Sequence, residues 1–247
     1  MRLASFLTLF LFACTLVAGE TLPKSLDFQK DGSFTFCGAP FNIALGDSRW
    51  RFISNKDWKD RKATASAAGV KVTATILPGS GRGTITETIT PAGPASAELH
   101  AAVTMQEPVR MNRMSGNIVL PADRCVITID GKTLDTGKPS KDARLFSGRT
   151  KEVVLRTIGA EELVIQSSSG RVIVQDNRKI KHKSDTITVM FCFDPEGGEF
   201  STAELKLKLT VRKIAGVQVP LEKFATRAFR EEQGNTLPVW TLQGPEE

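Results

Sequence analysis

The sequence predicts an all-β protein, an antiparallel β-sandwich with short connecting loops. Three observations predict it. Apolar and polar residues alternate through many short segments, as where Leu205, Leu207, Leu209 and Val211 alternate with Lys206 and Lys208. Gly, Pro and Asp-Gly turn signals separate the segments at intervals of about ten residues, the rhythm of a sandwich. No stretch sustains a helical period of about 3.6 residues. A closed barrel is the alternative architecture.

The chain opens on Met1-Arg2, an apolar run from Leu3 to Val17, and the small residues Ala18 and Gly19. That order is a secretory signal peptide, so residues 1–19 are expected to be removed. The apolar run is shorter than the roughly 18–20 residues of a spanning helix. Leu11-Phe12-Ala13-Cys14 also resembles a bacterial lipobox, and lipidation of Cys14 would tether the product to a membrane. The expected location is secreted or periplasmic, with a membrane-tethered lipoprotein as the alternative. Residues 20–219 are expected to form the sandwich and 220–247 a tail. Without the leader three cysteines remain, Cys37, Cys125 and Cys192. An odd number allows at most one internal disulfide, and their apolar surroundings favour buried thiols.

The strands follow in order. Residues 70–76 and 84–90 alternate on either side of Pro78-Gly79-Ser80-Gly81 and predict a hairpin. Residues 97–105 and 117–120 predict two further strands. Residues 126–129 and 132–134 flank Asp130-Gly131, whose tolerance of positive φ predicts a tight hairpin. Strands are expected again at 152–155, 163–165, 172–174, 186–191 and 203–211. In the last, one face is apolar and the other carries lysines, as in a sheet with one buried and one wet face.

Chemistry-bearing motifs are sparse. The two histidines, His100 and His182, have no partners at metal-ligand spacing, and no cofactor fingerprint or nucleophile elbow appears. No metal, cofactor or catalytic residue is expected. The net charge of +6, which falls by one with Arg2, suits anionic surfaces or polysaccharides without implying nucleic acid. Asp57, Asp60, Asp123, Asp130 and Glu162 are the carboxylates that a dispersed glycosidase pair would draw on, most of them in turn contexts. The candidate ligand-binding residues are Trp58, whose ring can stack on a sugar, and the basic run of Lys179, Lys181, His182 and Lys183. Trp50 and Phe52, two residues apart, are expected to share the core side of a strand. Arg110, Arg113 and Arg124 are dispersed and point to nothing.

Two phrases carry a resemblance. Asp31-Gly32-Ser33-Phe34 with Phe36-Cys37-Gly38-Ala39-Pro40-Phe41 resembles the opening of N-terminal β-sandwich modules in large secreted bacterial glycoside hydrolases. Trp240-Thr241-Leu242-Gln243-Gly244-Pro245 is similar to a phrase that opens a galactose-binding-like jelly roll in such proteins, with Val239 and Leu242 departing from it. The resemblance implies an exported, non-catalytic accessory module of a carbohydrate-processing system. Such a module binds or positions glycans, or packs against a catalytic partner domain, and 220–247 would begin a second domain. Two other readings stay open: an envelope structural protein without sugar affinity, and a glycosidase or lyase with a dispersed carboxylate site.

Overall fold

The computed structural model describes residues 26–28, 34–36, 39–66, 68–79, 81–139, 141–157, 161–168, 170–180 and 183–214. Its strands are β1 (Leu26–Phe28), β2 (Phe34–Phe36), β3 (Ala39–Asp47), β4 (Phe52–Ser54), β5 (Lys59–Ser66), β6 (Gly69–Ile76), β7 (Gly83–Gly93) and β8 (Ser96–Pro121). They continue as β9 (Val126–Ile129), β10 (Lys132–Leu134), β11 (Arg144–Arg149), β12 (Val153–Arg156), β13 (Glu161–Ser167), β14 (Arg171–Asp176), β15 (Thr186–Cys192) and β16 (Gly198–Lys213).

The pairing is antiparallel throughout and resolves into two sheets that share β8. The first runs β5-β6-β7-β8-β16-β13-β12-β9-β10 and uses residues 96–105 of β8. The second runs β11-β14-β15-β8-β3 and uses residues 111–121 of β8, with β2 and β4 along the far edge of β3 and β1 beyond β2. The expected sandwich is present, and the two expected hairpins, β6–β7 and β9–β10, are both formed. Asp130 and Gly131 take φ of 46° and 81°, the left-handed pair that a two-residue hairpin turn needs.

One expectation is corrected. Residues 97–105 and 117–120 are not separate strands but parts of β8, which spans 26 residues. Residues 105–108 of β8 lie opposite Ser201 alone, because Phe200 pairs with Val109 while Thr202 pairs with Thr104. Pro108, which has no N–H for a ladder, sits in this excursion. The buried positions are odd-numbered on both sides of it, Ala97, Leu99, Ala101, Val103 and Met105 before and Met111 after, and from Met114 onward they include Gly116, Ile118 and Leu120. The parity of the strand therefore changes at Asn112, where Gly46 pairs with Arg113 while Asp47 pairs with Met111. Without that change every side chain in the second half would face the wrong way.

The two inner faces meet in one core. A methyl on Gly116 would stand 2.6 Å from the Phe41 ring and 2.8 Å from a Leu205 methyl, so the sheets touch there with room for a hydrogen only. Leu205, Leu207 and Leu209 of β16 are buried, and Lys206 and Lys208 are exposed, as the alternation predicts. Each such leucine contributes about 1.5–3 kcal/mol by leaving water.

The leader 1–19 with Cys14, the residues Cys37, Lys181 and His182, and the tail 220–247 lie outside the described residues. Cys125 and Cys192 are buried thiols. Among the described residues no helix is long and apolar enough to cross a membrane, and no cluster of His, Cys, Asp and Glu is arranged to hold a metal ion.

Candidate functional site

The turn between β3 and β4 is built around one carboxylate. Asp47 is almost fully buried, at 3% exposure. Its Oδ1 accepts hydrogen bonds from the backbone N–H of Arg49 and of Arg51, both at 2.9 Å. Its Oδ2 accepts from Arg51 Nε at 2.8 Å and lies 2.7 Å from Arg51 Nη2. The backbone N–H of Arg51, with that of Arg49 and the guanidinium, holds the carboxyl below its ordinary value against the opposing effect of burial. The backbone closes the turn as Trp50 N donates to Asp47 O at 2.9 Å and Asp47 N to Arg51 O at 3.0 Å.

This network holds Trp50 at a φ of 59°, a left-handed conformation that costs a residue with a Cβ about 1–2 kcal/mol. The strain presents a large aromatic ring to solvent. Trp50 is 53% and Phe52 is 52% exposed, with ring centroids 6.2 Å apart and planes at 43°. Phe52 pairs with Gly46 across β3–β4. A Cβ on Gly46 would stand 2.7 Å from the Phe52 ring, so the glycine lets that ring lie flat on the sheet.

Beneath the rings lies the outer face of the second sheet. Ladder register brings together Ala44 of β3, Arg113, Ser115 and Asn117 of β8, Thr188 and Met190 of β15, and Gln175 of β14. With Trp50 and Phe52 they line an open cleft of about 440 Å³. Asn117 Nδ2 reaches Asn42 Oδ1 at 3.5 Å. Gln175 Nε2 donates to Asn177 Oδ1 at 2.9 Å, and Asn177 Nδ2 donates to Thr188 Oγ1 at 2.8 Å. The Thr188 hydroxyl hydrogen is left for another acceptor.

Arg113 is the charged group of the cleft. Its guanidinium carbon lies 5.4 Å from the Trp50 ring, and Nη1 lies 3.3 Å from the Met190 sulfur. Burial pushes its pKa down, Cys192 and Glu196 act the other way, and the nearby cations Arg144 and Arg171 add to the fall. Glu196, the nearest acid in this group, is engaged by Arg171 at 2.6 Å.

A second concavity of about 520 Å³ lies on the outer face of the first sheet, beside Glu98, His100, Gln166, Ser168 and Lys206. There Glu204 pairs with His100 at 3.3 Å and with Lys206 at 2.7 Å. Glu204 thus engages His100 and Lys206, and the concavity has no aromatic wall. The Trp50 cleft is the better site.

The sequence-predicted residues fall elsewhere. Trp58 is 5% exposed, with Arg61 5.9 Å from its ring, so it belongs to the core and offers no stacking face. The expected roles of the tryptophans are thus reversed: Trp50 and Phe52, expected in the core, are exposed. Their spacing misleads because Trp50 sits in a turn, where the two-residue alternation of a strand does not hold. Lys179 and Lys183 are exposed around the β14–β15 connection, as a hairpin loop should be. In the same run Arg178 is structural, bonded to buried Asp176 at 2.9 Å and to the carbonyls of Thr136 and Lys138 at 3.0 and 3.1 Å.

None of the five candidate carboxylates lines the Trp50 cleft. Asp57 accepts from Ser54 N at 2.8 Å, and Asp60 accepts from Thr75 Oγ1 at 3.1 Å. Asp130 accepts from Thr150 Oγ1 at 2.9 Å, Glu162 binds Arg156 and Arg212 at 2.6 and 2.8 Å, and Asp123 lies 3.5 Å from Arg124. Sequence reasoning missed Arg113, whose partners come from β3, β14 and β15 and are joined to it only by sheet register.

No protein-family model and no curated protein matches the chain. Among solved structures, the chain is similar to a GalM/aldose epimerase homologue from C. elegans, with a TM-score of 0.43, 11% identity, and coverage of 63% of this chain and 69% of that one. It is also similar to a 4-alpha-glucanotransferase from Thermococcus litoralis, with a TM-score of 0.38, 8% identity, and coverage of 70% of this chain and 27% of that one. The expectation of a protein without enzymatic activity is withdrawn, since the matched structures are enzymes by name. Likeness at this level assigns no reaction and no residue to this chain.

Proposed function

We propose that this chain is a sugar-associated β-sandwich protein that seats a glycan in the Trp50 cleft. One observation carries the reading: a buried carboxylate fixes a strained turn whose product is a pair of half-exposed aromatic rings above a polar floor. Aromatic rings cover the apolar C–H faces of a pyranose, while amide and hydroxyl groups meet its hydroxyls. A fold gains nothing from exposing two large rings in this way, so a ligand is the natural complement. The signal-peptide pattern of residues 1–19 supports an exported protein, free if cleaved near Gly19 and tethered if Cys14 is lipidated. Outside the membrane its partner is a polysaccharide, alone or with a catalytic partner domain.

Affinity electrophoresis through a panel of polysaccharide gels tests the reading. Retardation by at least one glycan is expected, weakened about tenfold in Trp50→Ala, the scale of a lost aromatic contact with its buried area. Binding unaffected by Trp50→Ala would remove the cleft from the reading. Reducing-sugar release from each retained glycan, measured in parallel, separates a glycan that is held from one that is processed.

A further inference from the structure

Resting on the glycan reading of the Trp50 cleft, we infer that the sugar residue seated there is acidic, with its carboxylate or sulfate group gripped by Arg113. A guanidinium carries five N–H donors in a planar fork that fits an oxyanion. Among the described residues Arg113 forms no ion pair within 4.0 Å, and its one recorded polar contact is the Met190 thioether, a weak acceptor. The group is nonetheless half-buried, and an unpaired buried charge is unfavourable unless something arrives to pair with it.

The surroundings make the deficit larger. Arg144 and Arg171 both raise the positive potential at Arg113, and the nearby carboxylate, Glu196, is already in a 2.6 Å bond with Arg171. Arg144 likewise has no ion-pair partner among the described residues. The cleft thus holds more cation than anion, beside a tryptophan ring whose underside is turned to Arg113. A pyranose stacked near Trp50 would place a ring substituent within reach of the guanidinium. A neutral sugar would leave the fork half-used; an acidic one fills it.

The test pairs each acidic glycan with a neutral counterpart: polygalacturonate, alginate, hyaluronan and glucuronoxylan with their carboxyl-reduced forms, and carrageenan and dextran sulfate with the desulfated polymers. Each is run against the full chain, Arg113→Gln, Arg113→Lys and Trp50→Ala. The expected result is retention of an acidic member over its counterpart by about 10- to 100-fold, the scale of charge-assisted hydrogen bonds. Arg113→Gln should erase that preference, and Arg113→Lys should keep part of it. The thermal midpoint of Arg113→Gln should be unchanged or raised, because an uncompensated charge is removed; this separates a recognition role from a structural one. Carboxylate and sulfate arms identify which anion is read.

Equal binding of neutral and acidic forms, dependent on Trp50 and indifferent to Arg113, would overturn the inference and leave the glycan reading standing. Acidic binding that survives Arg113→Gln but is lost on replacing Lys179 and Lys183 would move recognition to the β14–β15 loop and also overturn it. Binding to none of the polymers would sink both.

Discussion

Replacing Gly46 with alanine should disarm the cleft while leaving the sandwich intact. The added Cβ would stand 2.7, 3.1 and 3.2 Å from three atoms of the Phe52 ring. Carbon contacts settle at about 3.5–4.0 Å, so the ring must retreat by roughly 1 Å. It can do so cheaply, since it ends a side chain that is half in solvent and meets no backbone. Alanine also suits strand geometry better than glycine, by about 0.5–1 kcal/mol. Stability should therefore hold or rise slightly. Binding should not: moving one aromatic wall forfeits about 0.5–1.5 kcal/mol, a rise in Kd of about 2- to 13-fold. Calorimetric titration with a glycan retained in the gel assay, beside thermal denaturation, measures both terms. Unchanged affinity, or a thermal midpoint lowered by several degrees, would refute the placement of Phe52 as a wall resting on Gly46.

Three further outcomes follow from the structure. Trp58→Ala should cost about 3–5 kcal/mol, as for other buried aromatics, and lower the thermal midpoint by roughly 6–20 °C; glycan affinity of the protein that stays folded should be retained, and its loss would return Trp58 to the site. Asp47, held below the ordinary 3.8, contributes stability that is present above that value and lost as pH falls through it toward the folded pKa. Carbon NMR should place its titration below 3.8, and a higher midpoint would refute the turn network. Burial raises the Cys192 thiol to about 11, so its contribution is full below 9.0 and lost as pH rises from 9.0 to about 11. At pH 8 its thiolate population is about 100-fold below that of an ordinary thiol. Mass-spectrometric mapping after iodoacetamide should find Cys192 labelled at least that much more slowly than in denaturant, and rapid native labelling would contradict its burial.

Much of the fold is legible in the sequence because period-two alternation reports directly on which face is dry. β6, β7, β9, β10, β15 and β16 announce themselves in this way. β8 does not, because Glu107-Pro108 looks like an ending when it marks a change of sheet. The site was less legible, for a physical reason. Trp50 and Phe52 share a strand spacing, yet a turn separates them, and the cause of that turn is the side chain of Asp47 bonding to backbone amides. Nothing in residue type distinguishes such an Asp from one that is merely solvated. Arg113 gains meaning only when β3, β14 and β15 assemble around it, so no window of sequence contains its neighbours.

The long shared strand also governs when this protein can begin to fold. Ala102 pairs with Glu204, roughly a hundred residues later, and this ladder forms the middle of the first sheet. On a translating ribosome the β6–β7–β8 meander can form locally, but the edge of β8 that pairs with β16 stays open until β16 has been made. The nascent chain thus carries an open edge while roughly a hundred further residues are added. That interval is when a holding chaperone would matter most, and substitutions in β16 should reduce yield more than local hairpin changes of equal thermodynamic cost.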